Sequence, residues 1–147
     1  MKLALSEAEK ARDKGEVPIG AVIVTDGRVI ARGHNLRESK NDPTAHAEII
    51  AIRKAAKKLN SWRLINSTLY VTVEPCVMCI GAIVLARIPR LVFGCLDPKG
   101  GAVGSLYDIS NDKRLNHRVE VRSGVMAEEA QALLKDFFKR LRGKRIY

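Results

Sequence analysis

Thr68-Leu69-Tyr70-Val71-Thr72-Val73-Glu74-Pro75-Cys76-Val77-Met78-Cys79 is the stretch on which the fold turns. Its first six residues place apolar side chains on alternate positions, the pattern of a strand. From Cys76 to Ile88 the chain is apolar on most sides, which predicts a deeply buried helix that Pro89 stops. Leu91 to Leu96 is the next strand. A strand, a helix and a second strand in this order imply parallel pairing through a right-handed crossover.

Upstream, Ile19 to Thr25 is a nearly continuous apolar run, Asp26-Gly27 a two-residue turn, and Arg28 to Gly33 the returning strand of a hairpin. Met1, Ala4, Leu5, Ala8 and Ala11 recur at helical spacing, with Gly15 as a stop. Ala47, Ile50, Ala51, Ala55 and Leu59 form a second helical stripe, with Arg53, Lys54, Lys57 and Lys58 largely on its other faces. Downstream, Val119 and Val121 alternate with Arg118, Glu120 and Arg122, as in a half-exposed edge strand. Ala130, Leu133, Leu134, Phe137, Phe138 and Leu141 mark a final helix. This order puts the chain in the α/β class, a mixed sheet with helices on both faces. There is no repeat, low-complexity tract or Pro/Gly/Ser linker, so residues 1–147 read as one domain.

The 147 residues, 46% hydrophobic and 29% charged, can build a sizeable core without disulfide help. No apolar run approaches the roughly 20 residues that span a bilayer. The apolar start Met1 to Leu5 ends at Ser6-Glu7, too early for a signal peptide, so the chain reads as cytoplasmic with no membrane partner. Three cysteines, two of them three positions apart, make a poor disulfide framework; a Cys-x-x-Cys pair in a reducing compartment points to a metal or redox site. A net charge of +10 favours a polyanionic partner, although basic charge alone also fits proteins that bind no nucleic acid in particular.

Thr44-Ala45-His46-Ala47-Glu48 and Pro75-Cys76-Val77-Met78-Cys79 each open a predicted helix. Cys76 and Cys79 share a helix face, and a helix N-terminus favours the thiolates that zinc requires. With His46 they make three protein ligands, the number typical of a catalytic zinc that keeps its fourth position open. Cys95 and His117 remain as alternative fourth ligands for a closed structural site, though Cys95, inside an apolar strand, is most simply a core thiol. A two-residue step on a helix turns through about 200°, so His46 and Glu48 can face one ion only if His46 sits at the frayed first turn. The alternative for Glu48 is a favourable acid near a helix start.

His-x-Glu followed by Pro-Cys-x-x-Cys resembles the signature of zinc nucleobase deaminases, and almost the whole chain resembles the bacterial tRNA-specific adenosine deaminases of the cytidine/deoxycytidylate deaminase superfamily. The likeness runs through Glu16-Val17-Pro18-Ile19-Gly20-Ala21, Asn41-Asp42-Pro43-Thr44-Ala45-His46-Ala47-Glu48, Asp97-Pro98-Lys99-Gly100-Gly101-Ala102-Val103-Gly104-Ser105 and Leu115-Asn116-His117-Arg118-Val119. It implies a cytidine deaminase-like three-layer α/β/α sandwich around a mixed five-stranded sheet, a homodimer, and conversion of the wobble adenosine of a tRNA anticodon stem-loop to inosine. It further implies one Zn²⁺ on His46, Cys76 and Cys79, and Glu48 as the proton shuttle serving hydrolytic attack at C6 of adenine. Asn35 would hydrogen-bond the flipped nucleotide. Val17, Ala47 and Val73 would line the base pocket, Asp97 would lie near the neighbouring nucleotides, and Phe138 with the basic tail would touch the loop.

That tail offers Lys135, Lys139, Arg140, Arg142, Lys144 and Arg145 against Asp136 alone, which also fits a solvated helix face, and Phe138 equally fits the core stripe. Two rival readings stand beside this one. An enzyme of the same superfamily would deaminate free cytosine, guanine or a small nucleoside, and a non-catalytic module would use zinc only to fold and bind RNA.

Overall fold

The structure is a computed structural model that describes residues 1–145; the side chain of Arg145, counted above in the basic tail, lies outside the described residues. The elements run α1 (Lys2–Asp13), β1 (Gly20–Thr25), β2 (Arg28–His34), α2 (Ala47–Leu59), β3 (Ser67–Val73), α3 (Val77–Leu85), β4 (Arg90–Cys95), β5 (Glu120–Arg122) and α4 (Ala127–Arg145). They form one five-stranded sheet in the order β2-β1-β3-β4-β5. β1 pairs antiparallel with β2 and β3, while β3, β4 and β5 run parallel. The hairpin turns at Asp26-Gly27, both with positive φ (49° and 76°), the two-residue turn whose twist matches that of the strands.

The sheet is covered on both faces. α2 packs on β1, β2 and β3 and touches α3, whereas α1 and α4 touch each other, with α1 lying on β1, β2 and β3 and α4 on β3 and β4. Ala47, Ala51 and Ala55 of α2 and Ile80, Ile83 and Val84 of α3 share one core with Ile23, Leu69, Val71, Leu91 and Phe93. Leu5 of α1 and Ala130 of α4 meet Val73 and Cys95, the last residues of the two central parallel strands, in a second. The small side chains let α2 approach closely. A Cβ at Gly33 of β2 would lie 2.6 Å from the Ala47 carbonyl oxygen and 2.9 Å from the Ala51 nitrogen.

Four expectations need correction. The helix expected from Cys76 to Ile88 spans only Val77–Leu85, because Arg87 takes a positive φ of 61° that ends the helical turn before Pro89 is reached. Nor is it buried all round. Val77 is 50% and Leu85 69% exposed, since α2 covers only one flank. The strand after it is shifted by one residue, leaving Leu96 outside and 61% exposed. In β5 all three residues are exposed and only Val119, just before the strand, is buried, so the expected alternation is absent from an edge on which, among the described residues, no helix packs. Among the described residues no helix is long and apolar enough to cross a membrane.

Candidate metal centre

Two helix starts face each other on one side of the sheet. His46 is the N-cap of α2, in extended conformation (φ −80°, ψ 153°), and Cys76 is the N-cap of α3 (φ −76°, ψ 177°). The approach to α2 is shaped locally. The Asp42 carboxylate accepts from the Thr44 amide at 2.8 Å and the Thr44 hydroxyl at 2.7 Å, an Asx turn that aims the chain at the helix. Asn35, buried at the end of β2, accepts the first helical amide, that of Ala47, at 2.9 Å. Because His46 precedes the helix, the 200° step that would separate it from Glu48 does not apply.

The His46 Nδ1 lies 3.7 Å from Cys76 Sγ and 3.5 Å from Cys79 Sγ. Nitrogen and sulfur ligands at zinc distances of about 2.0 and 2.3 Å, set at the tetrahedral angle, would be about 3.5 Å apart. The two nitrogen–sulfur separations therefore match those between corners of a zinc tetrahedron. Among the described residues they form the group whose ligand atoms all lie within 4.8 Å of one another, and Glu48 is not part of it. His117 Nε2 is engaged elsewhere, 2.8 Å from the Ile88 carbonyl oxygen, and Cys95 is a buried thiol of the second core.

The electrostatics point the same way. Hydrogen bonding with Cys79, and then with the His46 imidazole, holds the Cys76 thiol down to about 4 despite its partial burial. That thiolate, together with burial, pushes the Cys79 thiol up, so the two sulfurs share one negative charge unless a cation lies between them. Hydrogen bonding to Cys76 raises His46. Burial raises the Glu48 carboxyl, which is only 4% exposed and borders the Cys79 thiol. The donor set of two soft sulfurs and one imidazole, at two positive helix ends, fits a zinc ion.

Val17, Val73, Asp97 and Phe138, which the sequence places far apart, come together along one cleft of about 880 Å³. Lys99, Lys135, Lys139 and Arg142 line it as well. Phe138 is 40% exposed there rather than enclosed in the core. Asn35 and Ala47 do not line the cleft; they are joined to each other at the start of α2, with Ala47 fully buried. Sequence reasoning gave no role to three buried carboxylates, Glu7, Glu16 and Glu74. Glu16 accepts the Glu38 amide and both the amide and hydroxyl of Ser39, tying down the segment after Asn35. The available signal was a single acid within an otherwise apolar stretch, most visibly Glu74 between Val73 and Pro75.

A family model described as MafB19-like deaminase matches residues 1–142. The chain is 54% identical over 145 residues to the tRNA-specific adenosine deaminase of Bacillus subtilis (strain 168), covering 99% of this chain and 90% of that one. It is 54% identical over 143 residues to the tRNA-specific adenosine deaminase of Haemophilus influenzae, covering 97% and 83%. A solved structure from work on A-to-I editing by tRNA:A34 deaminases at the wobble position superposes with a TM-score of 0.88 at 51% identity, over 91% of this chain and 97% of that one. A guanine deaminase from Bacillus subtilis shares the fold at a TM-score of 0.63 and 33% identity, over 97% and 90%. Identity above one half along nearly the full length, on a fold that brings His46, Cys76 and Cys79 together as a group able to hold a metal ion, means that this chain belongs to the tRNA-specific adenosine deaminases.

Proposed function

We propose that this chain hydrolyses adenosine to inosine and ammonia at the wobble position of a tRNA anticodon loop, using one zinc ion held by His46, Cys76 and Cys79. The observation that carries the reading is the spacing of the three ligand atoms, together with a buried, non-ligating carboxylate beside them. Zinc bound there would supply the Lewis acidity that brings the pKa of a water towards about 7.

The remaining work falls to side chains. Glu48 takes one proton from the attacking water and delivers it to N1 of the adenine ring. It then moves the second water proton to the exocyclic nitrogen, and ammonia leaves as the C6 carbonyl forms. Burial, which raises its affinity for a proton, suits a carboxyl that must hold protons between these transfers. The amide of Asn35 has its oxygen committed to Ala47, which leaves its NH₂ as a donor for the substrate.

The cleft supports RNA as the substrate class. Val17 and Val73 offer apolar walls, Phe138 an exposed ring on which a base can stack, and Lys99, Lys135, Lys139 and Arg142 cations for the phosphates. A target base must leave its stack to reach a recessed centre, which favours a loop over a duplex. The uncovered stripe of α3, with Val77 and Leu85 exposed and Met78, Gly81 and Ala82 partly so, supports a homodimer. The enzyme then works in the cytoplasm, on tRNA.

The test is a Glu48→Ala variant assayed on an anticodon stem-loop with a wobble adenosine. It is expected to keep one zinc per chain and the melting behaviour of the wild type, while inosine formation drops by about 10²- to 10⁴-fold or more. Undiminished ammonia release would remove Glu48 from the mechanism. Wild-type turnover of free guanine or cytosine without any on the stem-loop would favour the small-substrate reading.

A further inference from the structure

We propose that Glu74 is a positioning residue for recognition of the nucleotide next to the target base: it locks the segment from Asp97 to Ser105 onto the metal-binding strand end. The proposal rests on the RNA-deaminase reading above.

Glu74 is 3% exposed and follows Val73, a wall of the cleft. One carboxylate oxygen accepts the Asp97 amide at 3.0 Å and, in a short contact, the Ser105 hydroxyl. The other accepts the amides of Val103 at 3.0 Å and Ser105 at 3.1 Å. One side chain thus satisfies three backbone donors of a segment that has no regular strand partner, although Gly101, Ala102 and Val103 are buried. The next residues continue the attachment, because the Ala102 amide donates to the Pro75 carbonyl at 2.9 Å and Cys76 bridges Gly101. Gly101 is required by this closeness, since a Cβ there would meet the Glu74 carboxylate at 2.3 Å.

The consequence is mechanical. Asp97, Pro98 and Lys99 line the cleft together with Lys135 and Phe138 of α4, and they begin the segment that Glu74 holds. Asp97 is fixed twice, by its own amide on Glu74 and by its side chain, which accepts the Lys99 and Gly100 amides at 3.2 Å. The cleft wall from Asp97 to Lys99 and the strand end that presents Cys76 are therefore one rigid piece. Glu74 touches no substrate; it sets the distance between the recognition wall and the reacting base.

Glu74→Gln tests this directly, because an amide turns an NH₂ towards donors that need an acceptor. Ser105→Ala is the milder companion that removes one hydroxyl contact. Each variant is titrated for zinc, then assayed for binding and inosine formation on stem-loops differing only in the nucleotides flanking the target. With zinc retained, Glu74→Gln is expected to raise KM by about 10- to 100-fold with a much smaller change in kcat, and to flatten the preference among flanking nucleotides. Ser105→Ala should move both in the same direction by about 2- to 5-fold. Lower thermal stability with wild-type KM and flanking preference in the zinc-loaded fraction would reduce Glu74 to a structural residue and overturn the proposal. Should Glu74→Gln not fold, wild-type KM and preference in Ser105→Ala overturns it alone. If the wild type deaminates no stem-loop, the functional reading fails separately, and unchanged stem-loop binding by the variants then refutes the positioning role too.

Discussion

Replacing Gly33 by alanine pushes a methyl group into the backbone of α2. The added carbon would stand 2.6 Å from the Ala47 carbonyl oxygen, where ordinary contact begins at 3.4 Å, so the start of α2 must retreat by roughly 0.8 Å. Overpacking of this kind costs about 1–3 kcal/mol. In a domain of this size each kcal/mol lowers Tm by about 2–4 °C, so a loss of roughly 2–12 °C is expected. The retreat is not neutral for chemistry. His46 and Glu48 flank Ala47 at the start of α2, whereas Cys76 and Cys79 stand at the start of α3, and the two helix starts would move apart. A displacement approaching 1 Å can cost on the order of 10²-fold in rate, which places the expected fall in kcat at about 10- to 100-fold per zinc-loaded chain. KM for RNA should change less, since no residue of α2 lines the cleft. The measurements are thermal melts and single-turnover inosine formation on protein of known zinc content. Gly143→Ala is the control: among the described residues nothing lies within 4 Å of its added carbon, and the better helix former should leave Tm equal or higher. Wild-type Tm and kcat in the Gly33 variant would show that close approach of β2 to α2 does not position the site.

Asn35→Ala should cost about 1–3 kcal/mol, because it leaves the buried Ala47 amide without an acceptor; Asn35→Asp should restore stability but not activity, as the NH₂ donor stays absent, and full activity in the aspartate variant would contradict the assigned donor role. Below about pH 4.5 the buried Glu16 should progressively lose its stabilising contribution. Burial alone would raise its pKa, but the Ser39 hydroxyl and the Glu38 and Ser39 amides hold it below the ordinary 4.5. The unfolded chain therefore binds the proton first, and the stability Glu16 contributes is complete above about pH 4.5 and drains away as pH falls through its lower folded value. A Glu16→Gln variant should be less stable at pH 7, with the gap to wild type narrowing in acid denaturant titrations; a gap constant with pH would refute this. Lys139→Ala with Arg142→Ala should weaken stem-loop binding and flatten its dependence on log salt concentration by about 0.7 per lost phosphate contact, read by anisotropy at several ionic strengths. An unchanged slope would take these two cations off the RNA path.

Much of this protein is written in short-range pattern. Alternation from Thr68 to Val73, the apolar run after Cys76 and the strand beyond it need only neighbours a few residues away to be read, because backbone geometry imposes periods of 2 and 3.6 on any buried face. The metal triad is legible for the same reason. His-x-Glu and Cys-x-x-Cys record local spacing, and His46 had to precede its helix for both its ring and Glu48 to face one ion, as it does. What periodicity does not encode is what covers each face. The apolar residues Val77 and Leu85 look like core and are exposed because α2 shields only one flank of α3. Phe138 belongs to the stripe of α4 yet borders the cleft and stays 40% exposed. Glu16 and Glu74 read as isolated acids, and their purpose appears only when residues about 22 to 31 positions away bring amides to them. Buried charge, close backbone approach and the meeting of His46 with the two cysteines depend on partners distant along the chain, so they belong to the tertiary structure; the order of strands and helices and the local spacing within His-x-Glu and Cys-x-x-Cys depend on near neighbours, and the sequence alone was enough to determine them.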